Sequence, residues 1–189
     1  MKELYDILGA MTAQKDKIPD RKDLLLDMSE RVVKAVAAAF TCKADEVAIL
    51  VLTSDGKHLR FIAPRKFTDL GTIPITKRDS IAVTVFGKKA GEAMNNVPLV
   101  KHVSFFESVK LRDRVVPIQK MITVPILFRG QPLGVAQISR KGETPAEAGP
   151  DFTPADVRKA QEIFEGVAPF FAEERPQKFR AGATPGPDG

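Results

Sequence analysis

Apolar and polar positions follow two different rhythms along this chain, and the rhythm changes where the elements change. The clearest pattern runs from Met121 to Lys141, MITVPILFRGQPLGVAQISRK. Two apolar arms meet at Arg129-Gly130-Gln131, which predicts a β-hairpin with glycine where the backbone turns. The first arm, Met121 to Phe128, is apolar on both faces apart from Thr123, as a strand covered on both sides is. Pro125 cannot donate to a ladder, so an irregularity is expected beside it. In the second arm Gly134 and Ala136 share one face, and Leu133, Val135 and Gln137 share the other. Small residues two apart let a neighbouring element approach the backbone closely.

The helical rhythm belongs to the two ends. Leu4, Tyr5, Leu8 and Met11 make one stripe of a helix over residues 2–14, within an N-terminal helical extension of residues 1–19. Asp20 is placed to cap a second helix running to about Thr41, whose Leu25, Val32, Val36 and Phe40 share a face meant for the sheet. Thr153-Pro154-Ala155-Asp156 combines an N-cap threonine, proline at the first helical position and an acid at the third. Val157, Ala160, Phe164, Val167 and Phe171 then recur at helical spacing to about Glu174.

Residues 47–52 and 59–63 read as strands joined through Ser54-Asp55-Gly56-Lys57, and residues 93–97 as a short strand. Residues 80–86, SIAVTVF, alternate as a strand does, yet Asp79 or Ser80 could cap a helix there. Residues 101–119 mix Phe105, Phe106 and Val109 with many charges and read as loop and short helix. Residues 176–189 are expected to be a disordered tail. Strands in the middle and helices at the ends give an α+β plan. An antiparallel sheet carries the terminal helices on one face and short helices and loops over the other.

Val124-Pro125-Ile126, the Arg-Gly turn and the run Leu133 to Lys141 together resemble the last sheet hairpin of a GAF domain. Lys141, Phe152 and Asp156 are similar to the Asn-Lys, Phe, Asp-Glu motif of cyclic-nucleotide-binding GAF domains; Arg140 stands where that motif has Asn, and Val157 where it has the final Glu. The resemblance spans about Asp20 to Ala172, within a domain of residues 20–175. It implies a central antiparallel sheet, a short helix over residues 80–86 and a structural salt bridge between Lys141 and Asp156. It also implies a ligand cavity under the short elements and a homodimer through the terminal helices.

Composition narrows the function. A chain of 189 residues, 43% hydrophobic, suits one core with appendages. No apolar run approaches the roughly 20 residues a bilayer span needs, so no membrane contact is expected. Cys42, the single cysteine, excludes an internal disulfide and fits the cytoplasm; it reads as a packing residue. Residues 57–120 hold 13 Lys/Arg against 5 Asp/Glu, a net +8, while the rest of the chain sums to −3. That field favours an anionic ligand. Nucleic acid is not expected, because there is no tryptophan, and Tyr5 is the one tyrosine for stacking bases. Two histidines and one cysteine cannot complete a zinc set, and no nucleophile elbow or phosphate-cradling loop is present.

What remains is a small-molecule cavity, with an unidentified ligand and no motif that specifies a cofactor. Candidate lining residues are Phe61, Ser80, Phe86, Asn95, Asn96, His102, Phe105, Phe106 and Gln137. Gln137 stands out, since an amide inside an apolar strand must find a partner if it is buried. The expected function is a non-catalytic sensory module. Ligand entry would reorder residues 101–119, shift the terminal helices and signal to a separate partner protein. A ligand-free dimerisation adaptor ranks second, and a GAF-fold enzyme third.

Overall fold

The computed structural model describes residues 1–17, 21–69, 71–99 and 116–174. The chain order is α1 (Lys2–Ala13), α2 (Arg21–Phe40), β1 (Val47–Leu52), β2 (His58–Ala63), β3 (Thr72–Pro74), α3 (Ile81–Lys88), β4 (Glu92–Met94), β5 (Ile118–Phe128), β6 (Gln131–Lys141) and α4 (Pro154–Glu174). The strands form one antiparallel sheet in the order β3-β2-β1-β6-β5-β4, so the fold is α+β as the two rhythms predict. The first and last strands, β1 and β6, lie side by side at its centre.

Period-two alternation sorts the sheet into two faces. Val47, Ile49, Val51, Ile122, Val124, Ile126, Ala136 and Ile138 face the terminal helices. With Leu8, Leu25, Val32, Val36, Phe164, Val167 and Phe171 they form the larger core. The other face carries Ala48, Leu50, Leu59, Phe61, Ile73 and Val135, packed against Ala82, Val83 and Val85 of α3. A third, smaller cluster of Val97, Ile118 and Met121 lies beside it.

The β5–β6 turn is Arg129-Gly130 alone, with φ of 50° and 73°, the positive pair a two-residue hairpin needs. Gln131 already belongs to β6. Beside Pro125 the ladder shifts register between Ile126 and Leu127. Pairing with β4 stops at Thr123, so on that side Pro125 has no ladder neighbour among the described residues. At Gly134 a Cβ would lie 2.0 Å from the Leu50 carbonyl oxygen, so β1 approaches β6 as only glycine allows. The ambiguous residues 80–86 are helical. The Ser80 side chain caps the Val83 N–H at 3.5 Å, and Lys89 closes the helix in the left-handed region.

Three boundaries differ from the sequence pattern. β5 begins at Ile118, so Gln119 and Lys120 belong to the sheet and are buried rather than part of a loop. Their polar ends are satisfied, Gln119 Nε2 by the Gly142 carbonyl at 2.8 Å and Lys120 Nζ by Asp151 at 2.7 Å. The strand expected over residues 93–97 is Glu92–Met94, followed by a 3-10 turn over Val97–Leu99. β3, three residues long, has no signal of its own beyond its proline. The loop and short helix expected before residue 116 and the tail expected over residues 176–189 lie outside the described residues.

Candidate functional site

On the face covered by α3, the register aligns Glu92 of β4, Thr123 of β5, Gln137 of β6 and Ala48 of β1 in one line across four strands. Residues paired directly across a ladder project to the same face. Thr123 and Gln137 are 1% and 3% exposed. Gln137 Nε2 donates to Thr123 Oγ1 at 3.3 Å. Gln137 Oε1 is buried and has no hydrogen-bond partner among the described residues. Leaving such an atom unpaired costs about 1–3 kcal/mol. Turning the amide over would only exchange which of its two atoms is left out.

The rows on either side are mostly apolar. Pro125, Val135, Leu50 and Phe61 lie on one side, and Met94, Met121 and Ser139 on the other. Ser139 is already committed, donating to the Glu46 carbonyl at 2.9 Å. The polar line therefore runs between two apolar clusters, inward from the edge strand β4. Ala48 ends it with only a methyl group. Helix α3 lies over β5 and β6, and Ile81 in its first turn packs against both clusters. Lys89 fixes the other end of α3 by donating to the Gly130 carbonyl at 3.0 Å.

The structure divides the residues singled out from the sequence. Gln137, Phe61, Phe86 and Ser80 are on this side of the sheet. Phe61, however, packs edge-on against Phe67 with ring centroids 5.9 Å apart, and Phe86 packs against the same apolar cluster. Ser80 serves as the cap of α3. Asn95 is a clamp rather than a ligand contact: its Nδ2 donates to the Phe152 carbonyl and its Oδ1 accepts the Phe152 N–H, both at 2.9 Å. Asn96 is exposed. His102, Phe105 and Phe106 lie outside the described residues. Thr123 and Glu92 complete the line: Thr123 stands out in the sequence only as the polar exception of its apolar arm, Glu92 not at all, and strand register alone brings them to Gln137.

In place of the implied Lys141–Asp156 bridge, each residue has another partner, Lys141 a remote one and Asp156 a local one. Lys141 Nζ lies 3.5 Å from Asp45 and also donates to the Asp45 carbonyl at 2.9 Å. The turn before β1 sits against the end of β6 because those strands pair. Burial tends to raise the Asp45 pKa, but Lys141 and Lys66 outweigh it and hold the carboxyl below its usual range. The Asp156 carboxylate is engaged by Thr153, accepting its N–H and its hydroxyl at 2.8 Å each.

A cleft of about 900 Å³ opens elsewhere, at the end of α2 between Ala37–Lys43 and Gly149–Pro150. Two of its three lining cations are engaged within the fold: Arg140 donates to the Pro150 carbonyl and stacks over the Phe152 ring, and Lys141 holds Asp45, while Lys43 is exposed. Cys42 lines it. Burial first, then Glu46 and Asp45, push its thiol up to about 11 against the opposing effect of Arg140. Such a thiol carries little thiolate at neutral pH. Among the described residues no three His, Cys, Asp or Glu side chains converge as a metal site requires, and no helix is long and apolar enough to cross a membrane.

No family model matches the chain, and no curated protein sequence does. Solved structures do match. The GAF domain of a Coxiella burnetii phosphoenolpyruvate-protein phosphotransferase aligns with a TM-score of 0.61 at 14% identity, over 91% of this chain and 94% of that one. The GAF domain of the Acinetobacter phosphotransferase gives 0.60 at 15% identity, over 88% and 91%. Free methionine-R-sulfoxide reductase from Neisseria meningitidis, solved with its substrate, gives 0.55 at 16% identity, over 91% and 90%. At such identities the likeness establishes the fold, which regulatory domains and enzymes share. The chain has the GAF fold.

Proposed function

We propose that this GAF-fold domain is a non-catalytic sensory module that binds a small molecule over the Glu92–Thr123–Gln137 line. The observation that carries this reading is the Gln137 amide, 3% exposed with Oε1 unpartnered among the described residues. A domain that merely packed this face would gain stability from apolar residues in place of both Gln137 and its partner Thr123. Keeping an unsatisfied amide is understandable where a ligand completes its hydrogen bonds, since binding sites hold locally unfavourable groups in reserve. The fold alone does not choose between sensor and reductase. What favours the sensor is that Cys42 sits at the end of α2, on the helical side of the sheet, with a thiol held protonated at neutral pH. Thiol-relay chemistry needs an accessible thiolate and a partner thiol to resolve it.

A metabolite and nucleotide library screened by thermal shift, with native mass spectrometry of the purified protein, tests the proposal. We expect at least one compound to raise Tm by mass action. Gln137→Met is expected to abolish that shift, and Gln137→Met combined with Thr123→Val, which removes both polar partners, to unfold at higher temperature than wild type when ligand-free. A wild-type protein that nothing stabilises, that carries no copurified molecule, and whose Gln137→Met/Thr123→Val double variant gains no stability would overturn it. A homodimer through α1 and α4 belongs to the same proposal, and a monomeric mass by light scattering rejects that part alone.

A further inference from the structure

The polar inventory of the line restricts what it can hold. Gln137 Oε1 is an acceptor with no partner among the described residues, and the amide nitrogen is engaged with Thr123; the reversed amide would offer a donor instead, so the Glu92 carboxylate is what fixes the sign of the ligand. The ionised carboxylate of Glu92, half-buried on edge strand β4, is acceptor-only. Its place beside Thr123 in the ladder puts it two strand spacings from Gln137, roughly 10 Å between Cα atoms. Two side chains of that length, projecting from the same face, can converge over Thr123. No cation of β5 or β6 completes the line from within. Lys120 is held by Asp151, Lys141 by Asp45, and Arg140 donates to the Pro150 carbonyl. The net +8 of residues 57–120 favours anions at long range. Among the described residues, an anion at the line itself would meet the Glu92 carboxylate, which disfavours it.

Resting on the ligand-binding reading above, we propose that the site takes the N–H-bearing cationic end of a small molecule, a primary ammonium or a guanidinium. It donates to Gln137 Oε1 and to the Glu92 carboxylate at once. The buried amide supplies direction, and the edge carboxylate supplies charge and an entry side.

The test uses free L-amino acids and the diamine putrescine, each beside its N-trimethyl counterpart, which keeps the charge but loses the N–H donors, and its deaminated counterpart. Affinities come from titration calorimetry and thermal shift on wild type, Glu92→Gln and Gln137→Met, with circular dichroism to verify folding. We expect a primary amine to bind, its two counterparts to bind at least about tenfold more weakly, and each variant to lose about tenfold or more, as for a hydrogen bond to a charged group. Equal binding of an amine and its trimethyl counterpart, or an affinity unchanged in Glu92→Gln, overturns the assignment. If instead a carboxylate or phosphate compound from the general library binds in a Gln137-dependent way while every amine fails, the amine assignment falls and the ligand-binding reading stands. If nothing in either collection binds, the amine assignment falls, and the ligand-binding reading falls with it once no copurified molecule is found and the double variant gains no stability.

Discussion

Asn95 and Asn96 carry the same side chain in opposite circumstances. Asn95 holds both backbone groups of Phe152, across a separation of 57 residues, and Asn96 faces solvent. Asn95→Ala would leave the Phe152 N–H and C=O to find new partners, so it should lower the unfolding free energy by about 1–3 kcal/mol. Asn96→Ala should stay within about 0.5 kcal/mol of wild type. Urea unfolding of both variants checks the contrast, and equal losses would mean the clamp contributes nothing. Nothing local separates these two residues, because the partner of Asn95 lies beyond three further elements. Gln137 was different: its own strand is apolar enough to mark an amide as anomalous before any partner is known. Thr123 is marked in the same way, as the polar exception of its arm, but its pairing with Gln137 and with Glu92 is not readable, since cross-strand register is a property of pairs of strands and not of either sequence.

Elements whose signals are local were legible in full. Thr153, Pro154 and Asp156 start α4 as a reciprocal box, with the Thr153 N–H and hydroxyl on the Asp156 carboxylate and the Asp156 N–H on Thr153 Oγ1 at 3.2 Å. Those bonds, the backbone one first, hold the Asp156 pKa below the usual aspartate value. A carboxylate depressed in the folded state contributes stability that is present above its unfolded pKa, about 4, and lost as pH falls through the lower folded value. The stability gap between wild type and Asp156→Asn should therefore be open at pH 7 and close as the pH drops below about 4. Thermal unfolding across that range reads it, and a gap that persists at pH 2 would remove the carboxylate from the cap. Elements defined by remote partners were less legible. Gln119 and Lys120 look like loop until Gly142 and Asp151 are seen to satisfy them, and β3 exists because β2 offers it an edge.

At the scale of the whole molecule, the alternation of rhythms was enough to assign the layers but not the strand order. The placement of β1 beside β6 joins segments more than 80 residues apart, and no turn signal encodes that. The same limit applies to α1. Its stripe reads as an amphipathic extension, yet Leu4 and Leu8 are buried in the same apolar cluster as Leu25, Val32 and Phe164. Tyr5 approaches α4 so closely that a Cβ at Gly166 would lie 2.4 Å from its hydroxyl oxygen, and that hydroxyl is within 3.4 Å of the Ile163 carbonyl. Two consequences follow from a helix built into the core rather than attached to it. Leu8→Ala should cost about 2–5 kcal/mol, the range for emptying a fully buried leucine site. The loss should appear in the one transition that unfolds the sheet, since α1, α2 and α4 share a cluster with β5 and β6. Followed by far-ultraviolet circular dichroism and by the near-ultraviolet signal of Tyr5, the variant should show coincident curves, both shifted. An early Tyr5 transition that leaves the main one where it was in wild type would instead make α1 a detachable arm, and the helical layer would then rest on α2 and α4 alone.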